Sequence, residues 1–342
     1  MGKTSVLTCL TILGVLFLFG PGCNSKLIES SHDFKVTAGP PRNIVQNDLP
    51  LIFLWSQSLT NGRPDVALPL ACSQDKGVVL SWRPDLTNWQ GTVLFDSSGN
   101  VLWNHSQDVA SAVTLDESAV YVFDPPYLRA YEINSGELVW ETGEGIGYRL
   151  SAYLVVEGDE LQFIADSLVN TYQKESGQLL NREDIADQDL IIRYNDINYH
   201  SDGSNLYATT INDDQSVLWV SEAYAARRHL PQLYQDSLIV QSLGTTNSNT
   251  CRVNISDGHI VWCDRKQLLS NIAIHNGIGY AVNIQDELIG FRLEDGIEIG
   301  KMVFRPEGTH DTKIYYHIAS CKDHLLVYLA SPEELLQLNF IE

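Results

Sequence analysis

The chain has 342 residues, 44% hydrophobic and 19% charged, with 43 Asp and Glu against 22 Lys and Arg and a formal net charge of −21. That length suits one large β domain or two ordinary ones. So acidic a chain argues against nucleic-acid binding, which needs clustered Lys and Arg, and against broad adsorption to anionic lipid headgroups; its direct consequence is solubility through self-repulsion.

Residues 1–22 read as an export signal peptide. Lys3 is a small positive n-region, Val6–Phe19 an apolar h-region, and Gly20-Pro21-Gly22 a small-residue end before Cys23. The apolar run is short for a membrane span. Cys23 after Gly22 resembles a bacterial lipobox, in which the Cys becomes the lipidated N-terminus. Gly20 and Pro21 stand where a lipobox usually carries Leu and a small residue. The alternatives are an ordinary cleaved signal and an uncleaved short anchor. Residues 23–47 are polar, contain Gly39-Pro40-Pro41 and show no clear periodicity, so they read as a flexible tether. The domain is expected over residues 48–342.

One phrase recurs through that domain: strand, short polar turn with Gly, strand, Trp. It reads VLFDSSGNVLW at Val93–Trp103, LRAYEINSGELVW at Leu128–Trp140, VNTYQKESGQLLN at Val169–Asn181, TCRVNISDGHIVW at Thr250–Trp262 and LIGFRLEDGIEIG at Leu288–Gly300. A degenerate copy, YATTINDDQSVLW at Tyr207–Trp219, has Gln215 in place of Gly. The turn positions Gly99, Gly136, Gly177, Gln215, Gly258 and Gly296 lie 37, 41, 38, 43 and 38 residues apart. An all-strand period of about 40 is the mark of propeller blades. A three-residue hairpin loop with its last residue left-handed explains the glycine. The Trp is expected to fill the space between neighbouring sheets, burial worth about 1.5–3 kcal/mol per side chain.

The two ends of the domain complete the count. Asp48–Trp55, DLPLIFLW, reads as a return strand with no first strand, and Leu335–Phe340, LLQLNF, as a first strand with no return. Joined, they make one blade and leave no open edge in the ring. Return strands then end near Trp55, Trp103, Trp140, Asn181, Trp219, Trp262 and Gly300. The expected fold is all-β: a seven-bladed propeller of four-stranded blades, the last closed by the N-terminal strand, with eight blades as the alternative. Asn181 and Gly300 lack the ring and mark weaker copies. The longest step, before Trp103, holds Arg83–Gly91 with Trp89, an exposed loop or a cover for the ring face.

Four cysteines fall in the domain. A three-residue loop at Ser256-Asp257-Gly258 sets Cys251 directly across from Cys263, within disulfide reach; a two-residue loop would slip the register and part them. Cys72 and Cys321 fall on or just after the first strands of the first and last blades, neighbours if the ring closes, and form a second candidate pair at the seam.

The phrase resembles the pyrroloquinoline-quinone-like repeat over roughly residues 48 to 342. Exported lipoproteins of similar build include the outer-membrane assembly factor BamB, whose family is an eight-bladed binding scaffold. Eight-bladed quinone-dependent dehydrogenases use the same repeat. The resemblance implies a propeller, and Gly and Trp serve turn and packing rather than chemistry. Unlike those dehydrogenases, which are longer, this chain has no adjacent cysteines. It contains no GxSxG, HExxH or P-loop, and its nine His are scattered. Asp184–Asp189, and Asp196, Asn198 and Asp202 with Gly203, offer oxygens but miss the EF-hand spacing and read as solvated turns.

The expected function is therefore a monomeric, non-catalytic scaffold of the bacterial envelope. It would bind an envelope protein or peptide, touch the membrane only through its anchor, and use no cofactor or metal. The alternatives are a quinoprotein-type oxidoreductase holding pyrroloquinoline quinone and calcium, and a glycan binder using Trp82, Trp89 and Tyr127.

Overall fold

The computed structural model describes residues 36–38, 44–59, 70–73, 77–82, 91–105, 112–143, 146, 152–165, 168–184, 190–194, 196–202, 204–210, 216–223, 231–242, 249–304, 317–330 and 333–341. All lie in one compact unit, Val36–Glu342. The signal residues, Cys23, Trp89 and Gln215 lie outside the described residues.

Every regular element among the described residues is a strand, and the strands pair into seven antiparallel sheets. Sheet I is Leu70–Ser73, Gly77–Trp82, Gly91–Phe95 and Val101–His105. Sheet II is Ala112–Leu115, Ala119–Asp124, Tyr127–Glu132 and Leu138–Thr142. Sheet III is Tyr153–Glu157, Glu160–Ala165, Leu168–Gln173 and Leu179–Asp184. Sheet IV is Leu190–Tyr194, Ile197–Ser201, Leu206–Thr210 and Val217–Ser221. Sheet V is Gln232–Tyr234, Ser237–Gln241, Thr250–Asn254 and Ile260–Asp264. Sheet VI is Ala273–His275, Ile278–Val282, Glu287–Arg292 and Glu298–Phe304. These six each take four strands consecutive in the chain. Sheet VII is composite: His317–Ser320, His324–Ala330 and Glu333–Phe340 are joined by Leu51–Leu59, with Leu51 opposite Phe340 and Ser58 opposite Glu334.

Within each sheet the chain meanders, so the first strand is innermost and the fourth outermost. The first strands of sheets V, VI, VII, I, II and III adjoin in that order. This is a β-propeller of four-stranded blades. Its core lies between blades: Phe123 of sheet II meets Phe163 of sheet III edge-on at 4.6 Å, and both are fully buried.

The Trp and Gly of the repeat form one lock between blades. The Trp103 indole donates to the Ile133 carbonyl, Trp140 to Lys174, Trp219 to Ile255 and Trp262 to Leu293, at 2.8–3.0 Å. Each acceptor lies three residues before the turn glycine of the following sheet. A Cβ on Gly136, Gly177, Gly258 or Gly296 would come within 2.5–2.9 Å of that Trp ring, and each has φ between +69° and +74°. The glycine is thus required twice, by the left-handed turn and by the indole above it.

The turns of the repeat differ in one respect from the expected three-residue loop, which among the described repeat turns is seen only at Asp96–Asn100 of sheet I. In sheets II, III, V and VI four residues are enclosed, for example between the Asn254 N–H and the His259 carbonyl. A β-bulge then restores the register: Val253 faces Ile260, Val261 is skipped, Arg252 faces Trp262, and Cys251 faces Cys263. Cys251 and Cys263 are disulfide-bonded with Cα atoms 4.1 Å apart. Cys72 and Cys321, 249 residues apart, are also bonded and join sheets I and VII.

Two expectations are corrected. The tether reading of 23–47 fails at its end, because Val36–Ala38 pairs with Leu51–Leu59 and Ile44–Asn47 with Glu298–Phe304, covering two outer edges. Gly300 is not merely a weaker copy. It sits opposite Gly290, and a Cβ at Gly300 would lie 2.7 Å from the Asp48 carbonyl oxygen, while one at Gly290 would lie 2.7 Å from Leu49. Losing the Trp there makes room for the incoming segment, whose Leu49 is buried instead.

The double demand on the turn glycine can be separated experimentally. Gly158 has φ +59° and open space for 4 Å around the place a Cβ would take, whereas Gly177 has φ +69° under Trp140. Gly158→Ala should cost about 1 kcal/mol of backbone strain, and Gly177→Ala a further ~1–3 kcal/mol from overpacking, read by urea unfolding. Equal losses would deny the indole its part. Removing Cys72–Cys321 should lower the melting temperature more than removing Cys251–Cys263, because the loop it closes is far longer: about 5 against about 3 kcal/mol by chain entropy.

Candidate binding surface

Most residues marked out by the sequence serve architecture. Gly99 also takes a left-handed turn, φ +83°. Trp55 and Trp82 lie on strands, their side chains outside the described residues. Tyr127 is partly exposed beneath the Arg129 guanidinium, which sits 5.4 Å from its ring centre. Asp202 accepts the Ser204 and Asn205 amides, which holds its carboxyl below the usual range. Asn198 accepts from Arg193 at 2.8 Å. Asp184 pairs with Arg182, and 185–189 and Gly203 lie outside the described residues. Among the described residues no group of three or more His, Cys, Asp or Glu is placed to hold a metal.

At the seam between sheets III and IV both halves of the lock are missing: Asn181 replaces the Trp and Gln215 the following turn Gly. Polar contacts stand in their place. Arg193 of sheet IV forks onto the Glu183 carboxylate of sheet III, one contact at 3.1 Å. On the same face of sheet IV, by strand alternation, His200 is buried. Its Nε2 meets the Thr209 hydroxyl at 3.0 Å, its ring stacks on Tyr207, and its Nδ1 has no partner. Burial first, and the Arg193 charge second, push the imidazole down to about 4.

A cleft of about 470 Å³ between sheets V and VI is lined by Trp262, Arg265, Asn283, Asp295 and Glu298 among others, with both signs of charge. The outer strands show a more regular feature. In every sheet the register skips the residue directly before the Trp position: Leu102, Val139, Leu180, Leu218, Val261, Ile299 and, in sheet VII, Leu54. All seven are aliphatic and 38–53% exposed. An extra residue in a bulge has no partner across the ladder, and its side chain is turned outward. The repeated aliphatic was visible in each phrase; its exposure was not, because strict two-residue alternation has no place for a bulge.

The His200 environment sets a pH dependence. The imidazole is neutral in the fold, and an unfolded His binds its proton near ~6.5. Stability is therefore full above about pH 7 and falls as the pH drops toward 4. Between pH 7.5 and 4.5 the loss should be about 2–3 kcal/mol from this group. His200→Gln should flatten that part of the urea-stability profile; an unchanged slope would place the acid sensitivity elsewhere.

No family model matches the chain, and none of the curated proteins compared with it is similar in sequence. Solved structures do share its fold. One is the crystal structure of BamB from Moraxella catarrhalis, 12% identical, matched over 90% of this chain and 100% of that one with a TM-score of 0.54. What the chain has in common with BamB at that identity is the fold, a β-propeller.

Proposed function

We propose that this protein is a non-catalytic, monomeric scaffold of the bacterial cell envelope that binds a protein or peptide partner. The observation that carries the reading is the set of aliphatic side chains held out to solvent on the outer strands, Leu102, Val139, Leu180, Leu218 and Val261 on edges to which no further strand is added among the described residues. Exposed apolar side chains on a rigid frame are what a protein partner can cover. In this reading the composite sheet VII closes a seven-bladed ring, tied by Cys72–Cys321. The two disulfides suit an oxidising compartment outside the cytoplasm, as does the export signal, and Cys23 carries the lipid that holds the domain at a membrane. The likeness to BamB adds support by analogy of fold. No quinone, calcium or other cofactor is assigned.

The test is cross-linked capture from envelope extracts with the exported chain as bait. A specific protein, recovered in several detergents and competed by untagged chain, is expected. Empty captures throughout, or a cofactor absorbance and thermal shift on adding pyrroloquinoline quinone with calcium, would overturn the scaffold in favour of a quinoprotein.

A further inference from the structure

Among the described residues, two of the seven outer edges are taken by strand addition. Ile44–Asn47 lies antiparallel against Phe304, Val303 and Met302 of sheet VI, and Val36–Ala38 against Leu59, Ser58 and Gln57 of sheet VII. Both pair with the part of the outer strand that follows the Trp position. The chain itself thus shows that these edges accept an extended segment.

Of the five other edges, most are blunted. Sheet II carries Glu141, sheet III Arg182, Glu183 and Asp184, and sheet V Asp264. In sheet I, His105 contacts the Gly136 carbonyl at 2.8 Å. Sheet IV differs. Val217–Ser221 has no charge, and Val217, Leu218 and Val220 are 55%, 48% and 61% exposed. Charged side chains are the usual protection of an edge strand, and here they are missing. Ser221 and Glu222 occupy the place, two and three residues past Trp219, where the added strands pair in sheets VI and VII, and Val220 matches Lys301, whose carbonyl accepts the Asp48 N–H.

We propose that the outer edge of sheet IV, Val217–Ser221, is a strand-addition site for an extended segment of a partner protein with aliphatic residues at alternate positions and basic flanks. The proposal rests on the scaffold reading and names the edge and the chemistry of its partner. The outward amides and carbonyls of the edge supply the ladder, and Val217, Leu218 and Val220 the apolar cover. Exposed Glu222 directly after the strand, and the net charge of −21, favour a basic segment.

The probe is a fluorescent Lys-(Val-Thr)3-Lys peptide, read by anisotropy against the full exported chain. The unaltered protein should bind it. The exposed double substitution Val217→Lys with Val220→Lys should weaken binding at least tenfold, and Leu102→Lys on sheet I should leave it unchanged. A peptide N-methylated at alternate amides should also bind at least tenfold more weakly to unaltered protein, which keeps the test decisive if the double variant folds poorly. No binding by unaltered protein, equal weakening by Leu102→Lys, or undiminished binding of the N-methylated peptide would overturn the proposal. Running the envelope capture with the same variants separates the two readings. Capture that survives the double substitution overturns the sheet IV edge and leaves the scaffold standing. Peptide binding without any captured protein supports the edge and counts against the envelope scaffold.

Discussion

The fold depends on an indole laid over a glycine turn. Among the described residues, neighbouring blades share no backbone ladder, so apart from the Cys72–Cys321 disulfide what joins them is side-chain packing and a few polar contacts. Trp103, Trp140, Trp219 and Trp262 each bury most of a ring against the next turn and donate to a carbonyl there. Burial of that size is worth about 1.5–3 kcal/mol, and the hydrogen bond about 1 kcal/mol. The turn hydrogen bonds set the glycine φ, the glycine leaves room for the ring, and the ring fixes the spacing of the sheets.

Where the lock is absent, both of its parts are absent. Sheet III offers Asn181, and the turn of sheet IV has Gln215. Sheet VI offers Gly300, and in sheet VII the third and fourth strands, Glu333–Phe340 and Leu51–Leu59, are not joined by a turn. Each gap is filled differently: the first by Arg193, Glu183 and a buried neutral His200, the second by Leu49 and the strand before it. A missing Trp with its Gly intact would leave a cavity, and a Trp facing a residue with a Cβ would clash, so the two positions change together.

The same economy shapes the surface. A bulge in every outer strand turns one aliphatic side chain to solvent. Two outer edges are covered by the chain's own N-terminal segments, and charges guard most of the others. The outer strands of sheets I and IV both lack Asp, Glu, Lys and Arg, and that of sheet IV stands out because His105 of sheet I is engaged by the Gly136 carbonyl.

The repeated phrase, its spacing and its turn glycines were enough to read an all-β propeller of four-stranded blades, because strand alternation and turn chemistry are local properties written within a dozen residues. The place of Cys251 opposite Cys263 was legible on the same ground, although the loop and bulge that produce it were not. Three features needed tertiary contacts. Gly300 is explained by the Asp48 backbone more than 200 residues earlier. Val36–Ala38 and Ile44–Asn47 become strands only because open edges lie beside them, since a segment of three or four residues carries no periodicity of its own. The unpartnered nitrogen of His200 follows from which blade faces it. Local rules decide what each segment can be, and only the neighbour across the seam decides what a position must leave room for.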